Sequence, residues 1–488
     1  MSHPLVLHPD RALPPDPAVR AVARALYAQT RDLPLVCMHG HVEAEVFADD
    51  APFPDPARLL VTPDHYVTRM IVSQGGHLAD LGVPHLEGTD GHTGTDGAGR
   101  AVEQDPRAIW RRLCDHWHLF RGTPSRFWLE HELADLFGVT VQPSGATADA
   151  IYDTVAAVLA DPAFRPRALL DRFRIELIST TDPATSDLAA HARLAADGLG
   201  ARVVPTLRPD AVVHPARPGW AGEVRRLGAV AGVDTGDYDG YLEALRRRRA
   251  AFVAAGGLAT DHGHLSADTT PLPPAEAADV YRQALAGTAP PAATAAFAGH
   301  MLHVLAGMAC EDGLVMQLHP GVERDHHAAM HRAVGPDRGF DIPVATEFTR
   351  SLRPLLDRYG MSPHFRLILF TVDETTYSRE LAPIAGVYPA VRLGAPWWFL
   401  DSPHAMRRFR EAVTETAGFY NTSGFVDDTR AFASIPARHD LSRRIDAGYL
   451  AQLVVEHRLD EAEAAETAVD LAYRLPRRAY ARRAVAGV

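Results

Sequence analysis

Leu33-Pro34-Leu35-Val36-Cys37-Met38-His39-Gly40-His41-Val42 is the stretch on which the reading of this chain turns. An apolar run follows a polar helix end and finishes on His-x-His, the pattern of a short, fully buried strand. Alternate residues of a strand point to one face, so His39 and His41 aim two imidazoles at one point at its carboxyl end. Neutral imidazole is the commonest metal ligand, and two at one point begin a divalent metal site. The chain holds 25 histidines, and His116/His118 and His262/His264 repeat the pattern, so the pair takes its meaning from the rest of the sequence.

Ahead of this strand, residues 16–31 carry Val19, Val22, Ala23, Leu26 and Tyr27 at helical spacing. Behind it, residues 43–170 show little strand character. Helical patterns recur over 108–120, 125–137 and 147–159, with a Gly/Thr/Asp-rich loop from Gly88 to Gly99, and the whole reads as an α-helical insertion. From residue 170 onward short apolar runs alternate with helical patterns, at 175–180, 202–207, 257–260, 314–318, 367–371, 390–393 and 424–426. Alternating strands and helices imply parallel pairing through crossover helices. With the first strand the runs number eight, which predicts a (β/α)8 barrel of the TIM type. The expected organisation is a single barrel domain over 1–488, an insertion over 43–170 between the first and second strands, and C-terminal helices over 431–488.

Such barrels carry their chemistry at the carboxyl ends of the strands. Just after the predicted strands stand His39 and His41; Thr180-Thr181-Asp182-Pro183; Arg208-Pro209-Asp210; Asp261-His262; His319 and Arg324; Asp373; Trp397-Trp398; and Asp427-Asp428-Thr429-Arg430. Nearly every strand end offers a polar or aromatic group, which reads as a functional rim. Cys37 lies one step deeper than the histidines and is expected in the core, as is at least one of the two tryptophans.

Composition narrows the possible chemistry. Net charge is −12, from 49 basic and 61 acidic residues, which argues against nucleic acid or an anionic membrane as partner. The run Arg246-Arg247-Arg248-Arg249 reads as a solvated helix face. Three separated cysteines, Cys37, Cys114 and Cys310, argue against a disulfide framework and for a reducing cytoplasm. No signal peptide is expected, nor an apolar stretch of the ~18 residues that spans a bilayer. The sequence contains no lysine; all 49 Lys+Arg positions are arginine. Schiff-base aldolases, pyridoxal-phosphate enzymes and P-loop hydrolases are thereby excluded in their usual forms, as is a metal pair bridged by carbamylated lysine.

A barrel with His-x-His after its first strand and Asp after its last resembles the amidohydrolase superfamily. Within it, the chain resembles the uronate (glucuronate) isomerase family over about residues 17–450. The likeness rests on His39-Gly40-His41, Asp64-His65-Tyr66, Thr180-Thr181-Asp182-Pro183, Arg208-Pro209-Asp210, Gln317-Leu318-His319, Trp397-Trp398-Phe399 and Asp428-Thr429-Arg430. It implies interconversion of aldose and ketose forms of a hexuronic acid, D-glucuronate with D-fructuronate or D-galacturonate with D-tagaturonate. It implies His39, His41 and Asp428 as metal ligands, Tyr66, Arg208 and Arg430 around the substrate, and Trp398 as a substrate-side aromatic. The chain departs from the family pattern at Gly40, where cysteine is usual, and in the loop His319-Pro320-Gly321-Val322-Glu323-Arg324-Asp325, where Glu323 and Asp325 add negative charge.

Isomerisation of this kind removes a proton from C2, stabilises an enediolate and returns a proton to C1. One divalent ion, Zn2+ or Mn2+, suits two histidines, one carboxylate and an oxygen-rich substrate. Asp428 can act as the base; so can Tyr66, if a metal or Arg430 lowers its pKa. Without lysine, the substrate carboxylate must meet arginine, and Arg208 and Arg324 are the candidates. His319 and His262 are further candidate substrate contacts. Two rival readings use the same residues: another amidohydrolase-type reaction on a different sugar acid or a hydrolysable substrate, and a barrel that binds sugar acids without turnover. The C-terminal helices can pack on the barrel or on a second copy of the chain in a homo-oligomer.

Overall fold

The computed structural model describes residues 3–86 and 100–483; the loop from Gly88 to Gly99 lies outside them. Seven parallel strands pair in chain order, apart from a small hairpin that intervenes. They are β1 (Leu35–Cys37), β2 (Ile175–Pro183), β3 (Val203–Arg208), β4 (Ala259–His264), β5 (Val315–Pro320), β8 (Leu367–Leu369) and β9 (Val391–Leu393). The hairpin is β6 (Val322–Glu323) with β7 (Ile342–Pro343), antiparallel, and it frames the chain between them at the mouth of the barrel. The parallel strands are short apolar runs because both faces are covered, one by the barrel interior and one by crossover helices.

The eighth run, 424–426, lies where it was expected but forms no regular strand. It is held at its start by Leu393 N–H donating to the Asn421 carbonyl (2.9 Å) and Ser423 N–H to the Leu393 carbonyl (2.8 Å). At its end it meets β1: Asp428 N–H donates to the His39 carbonyl (3.1 Å) and His41 N–H to the Thr429 carbonyl (3.0 Å). The sheet is closed through these bonds into the barrel. Gly424 explains part of the irregularity. Its φ of +77° suits glycine alone, and a Cβ there would stand 2.4 Å from a ring carbon of Pro476.

The barrel interior is filled by Val36, Met38, Ala259, Val315, Ile368 and Phe370. Between β1 and β2 the described residues form helices, from Ala44–Asp49 to Pro166–Arg172, around Phe47, Trp110, Phe120, Leu133 and Val155; this core is continuous with Leu35 and Ile175 of the sheet. After the last strand segment, helix Ile435–Val455 packs with the opening helix Pro17–Thr30 through Ala447, Leu450, Ala23 and Leu26.

Two expectations are corrected. Helix Pro291–Asp312 is long and apolar enough to cross a bilayer, yet more than half of its most apolar stretch is buried. Leu302, Ala306 and Ala309 pack with Met316 and Leu318 of β5, while Phe297, Met301 and Leu305 pack with Tyr241 and Phe252. It is a crossover helix of the barrel. The arginine run is only half solvated: Arg249 forms a two-point pair with Asp312 (2.5 and 3.0 Å), and Arg248 donates to the Ala184 carbonyl (3.0 Å).

Candidate active site and metal centre

The backbone bonds that close the barrel also bring its two end motifs together. They place Asp428 Oδ1 3.3 Å from His39 Nε2 and 3.0 Å from His41 Nε2. Neither approach is aligned as a hydrogen bond, and Asp428 Oδ1 and His39 Nδ1 are buried without a partner. Buried polar atoms are normally satisfied. Three convergent ligand atoms with an orphaned carboxylate oxygen fit a divalent cation bound by two imidazoles and one carboxylate. Burial opposes ionisation of Asp428, but His39 and His41 outweigh it and hold the carboxyl well below the usual range. Asp428 sits at φ = +41°, a left-handed conformation that aspartate tolerates better than most residues.

Beside His39 stands a second group of ligand atoms, from Asp261 and His319. The His319 ring stacks on His39 at 4.6 Å and on Phe370 at 4.1 Å. Its Nδ1 lies 2.9 Å from Asp261 Oδ1, again without hydrogen-bond alignment. Burial works against the charge on Asp261, but His319, His39 and Arg208 hold its carboxyl well below the usual range. Asp261 belongs to the expected rim of strand-end groups, without a role of its own. The fourth apolar run ends at residue 260, but β4 continues to His264, so alternation inside the strand decides the facing: Asp261 turns inward and His262 outward. His262 is therefore not brought to this cluster. It is fully buried, and its Nε2 meets Thr260 Oγ1 at 2.9 Å on the outer face.

Above these groups opens a narrow polar cleft. His41, Tyr66, Arg208, Arg324, Trp397, Trp398, Asp428 and Arg430 all line it. Arg208 Nε donates to Asp210 Oδ2 (2.8 Å), and Nη1 lies 3.6 Å from Asp261 Oδ2; against the cost of burial these two carboxylates keep the guanidinium charged. Arg324 pairs with Asp341 at 2.9 Å and lies 5.2 Å over the Trp398 ring. Arg430 pairs with Asp337 at 3.1 Å, and the same carboxylate lies 3.8 Å from Arg324. Nothing in the sequence pattern marked Asp337 or Asp341, which reach the cleft from the loop framed by β6 and β7. Trp398 has φ = +52°, a strained conformation for a bulky residue, and strain of this kind clusters at functional sites.

Tyr66 begins helix His65–Val72, whose cap Asp64 accepts its N–H at 2.8 Å. Two cations lie over its ring, Arg69 (5.8 Å) and Arg438 (5.3 Å); Arg438 also lies 3.7 Å over Trp128 and pairs with Asp401. Burial, against the pull of Arg438, pushes the Tyr66 phenol well above its ordinary range. The condition on which Tyr66 could act as a base, a pKa lowered by a metal or by Arg430, is not supplied by Arg430, which is turned to Asp337.

Comparison with known proteins places this geometry. A family model described as glucuronate isomerase matches residues 18–480. The chain belongs to the glucuronate isomerase family. A uronate isomerase of Rhizorhabdus wittichii is 54% identical over 98% of this chain and 99% of its own length. Another from Rhizobium meliloti is 53% identical over 97% of this chain and 99% of its own length. Among solved structures, a glucuronate isomerase from Caulobacter crescentus superposes with a TM-score of 0.93 at 47% identity, covering 98% of this chain and 97% of that one. A uronate isomerase from Thermotoga maritima gives 0.89 at 26% identity, covering 97% and 99%. The barrel is the fold of these family structures. This member carries Gly40 between its histidines, where a Cβ would stand 3.3 Å from Asp427 Oδ1. Asp427 is itself held by His439 at 3.2 Å, so a side chain at 40 presses on a buried pair that must yield by a few tenths of an ångström.

Proposed function

We propose that the protein is an aldose–ketose isomerase of hexuronic acids in the cytoplasm, converting D-glucuronate to D-fructuronate, D-galacturonate to D-tagaturonate, or both. The observation that carries this reading is the meeting of His39, His41 and Asp428 with Asp261 and His319 beneath a cleft edged by three arginines. That is a metal-ligating set, a pair of ionised carboxylates and an anion clamp on one small cleft.

His39, His41 and Asp428 would hold one divalent ion, Zn2+ or Mn2+. When bound, such an ion polarises a carbonyl or hydroxyl oxygen of the sugar. Arg208, held charged and oriented by Asp210, receives the substrate carboxylate, with Arg324 as the second fork. Trp398 offers an apolar wall to the sugar. Asp428 and Asp261 are the ionised carboxylates within reach of a C2 proton, and His319 beside Asp261 gives that proton a second resting place. Tyr66 keeps its proton and serves as a donor to a substrate oxygen, not as the base. Arg430, once freed from Asp337, stabilises negative charge that develops on the sugar.

NMR of the metal-loaded protein with D-glucuronate and, separately, D-galacturonate in D2O tests the reading. Ketose carrying deuterium at C1 is expected, and the faster sugar gives the preference. If neither sugar changes, the assignment fails; a hydrolysis or decarboxylation product from another sugar acid would replace it with the rival chemistry.

A further inference from the structure

Arg208 is held from behind by a group of side chains that the isomerase reading leaves unused. Asp210 opens the short helix Asp210–Val213, and His214 follows its last residue. The Gly263 peptide of β4 links them. Its N–H donates to both carboxylate oxygens of Asp210 (3.1 and 3.2 Å), and its carbonyl accepts from His214 Nε2 (3.0 Å). The next residue, His264, turns to the same outer face, and its ring centroid lies 4.2 Å from that of His214. Ligand atoms of Asp210, His214 and His264 all lie within 4.8 Å of one another.

His264 shows what is missing. It is only 6% exposed, and neither ring nitrogen makes an aligned hydrogen bond, although the Ala298 backbone lies within reach of the ring. Buried polar groups are normally satisfied, so a buried histidine in this state points to an absent partner. His214 has the arrangement usual for a metal-bound histidine, one ring nitrogen given to a backbone carbonyl. Burial lowers the pKa of both imidazoles, which keeps them in the neutral form that ligates. His214 is half-buried and gives an ion a route from solvent.

We propose that Asp210, His214 and His264 form a second metal site, distinct from that of His39, His41 and Asp428, which takes a divalent transition ion such as Zn2+ and inhibits the enzyme. Two imidazoles and one carboxylate select Zn2+ or a neighbouring transition ion over Mg2+ or Ca2+, which prefer all-oxygen shells. Inhibition follows from sharing. Asp210 is the carboxylate that orients Arg208, and an ion drawing on Asp210 weakens its grip on that guanidinium. The nearby charge of Arg208 opposes the ion in turn, so this site fills after the first. The inhibitory clause rests on Arg208 clamping the substrate; the metal site does not.

Equilibrium dialysis of the metal-stripped protein against Zn2+ tests the site. Wild type is expected to take up two equivalents, and His264→Gln and His214→Ala one each, while Asp428→Asn keeps the weaker equivalent. His214 is half-exposed, so its variant keeps the test valid if replacing His264 disturbs folding. A single equivalent in wild type, or a second that survives both histidine variants, overturns the site. In the isomerase assay, excess Zn2+ should raise KM about 10-fold in wild type with kcat unchanged, and leave KM unchanged in His264→Gln and His214→Ala. A second equivalent lost in the variants but without effect on KM overturns the coupling to Arg208. If the protein turns over neither hexuronate, the dialysis still decides the site.

Discussion

Asp261 and His262 are neighbours in sequence and opposite in consequence. Asp261 faces His319 and Arg208 on the barrel axis, while His262 faces Thr260 on the outside. Asp261→Asn is expected to lower kcat by at least ~100-fold, the ordinary worth of a proton-transferring group, with the protein still folded. His262→Gln is expected to cost stability, about 1–3 kcal/mol from the Thr260 contact, and not turnover. Parallel kinetics and denaturant melts check both, and a His262 variant that is stable but inactive would reverse the assignment. Asp428→Asn removes the charge on which His39 and His41 converge. Bound Zn2+ should fall by the one equivalent held there and activity by at least ~100-fold, more than the loss of an outer partner costs, as metal analysis and the NMR assay would show. At this scale the sequence was legible where a residue of the right chemistry stands just past a strand end or in a family motif. His39, His41, Asp428, Arg208, Arg324, Tyr66, Trp398 and Arg430 all line or underlie one cleft. Asp261 was legible as a rim residue but not in its inward facing, because β4 extends past the apolar run, and Asp337 lies in a loop without periodicity.

At the scale of elements, apolar periodicity located the helices and strands to within a few residues, because each buries one stripe or both faces. Polar residues that enter an element's buried side were harder to see. Glu132 is the sharpest case, lying in the π turn Glu132–Leu136 that ends helix Pro124–His131, beneath Asp64 and Arg438. It is 3% exposed, Oε2 has no partner, and burial raises its pKa to about 8. In the unfolded chain the same group titrates near ~4.3. Between those values the unfolded chain is ionised and the folded one protonated, so rising pH draws the protein toward unfolding by about 1.4 kcal/mol per pH unit. Glu132→Gln mimics the protonated form and removes this dependence. Its stability relative to wild type should grow from about pH 4.3 to about 8 and then level off. Melts of both proteins across that range check the sign; a gap that is flat with pH would mean that Glu132 is ionised in the fold. The arginine run at 246–249 gives the same lesson in reverse: four like charges read as a solvated face, yet Arg249 is buried because Asp312 lies opposite it on the neighbouring helix.

For the whole molecule, eight βα units were legible from alternation alone, but how the barrel closes was not. Seven strands form a regular sheet, and the eighth segment meets β1 through the backbone of His39, His41, Asp428 and Thr429. The side chains of His39, His41 and Asp428 form the candidate metal site, so an ion there would bridge the two edges of the sheet at the point where backbone pairing is thinnest. Metal binding and barrel closure should therefore be one equilibrium. An ion at 100 times its Kd stabilises the folded state by about 2.7 kcal/mol, and removing it gives that back. A structural role elsewhere would loosen the barrel evenly. A bridging role concentrates the effect at the seam, because local opening there no longer has to break the ion's bonds. Hydrogen exchange with and without chelator separates the two. On metal removal the amides of His41 and Asp428 should lose protection first and most, while those of Met316 and Leu367, in the middle of the sheet, change little. An even loss across all strands, or none at the seam, would show that the ion does not close the barrel.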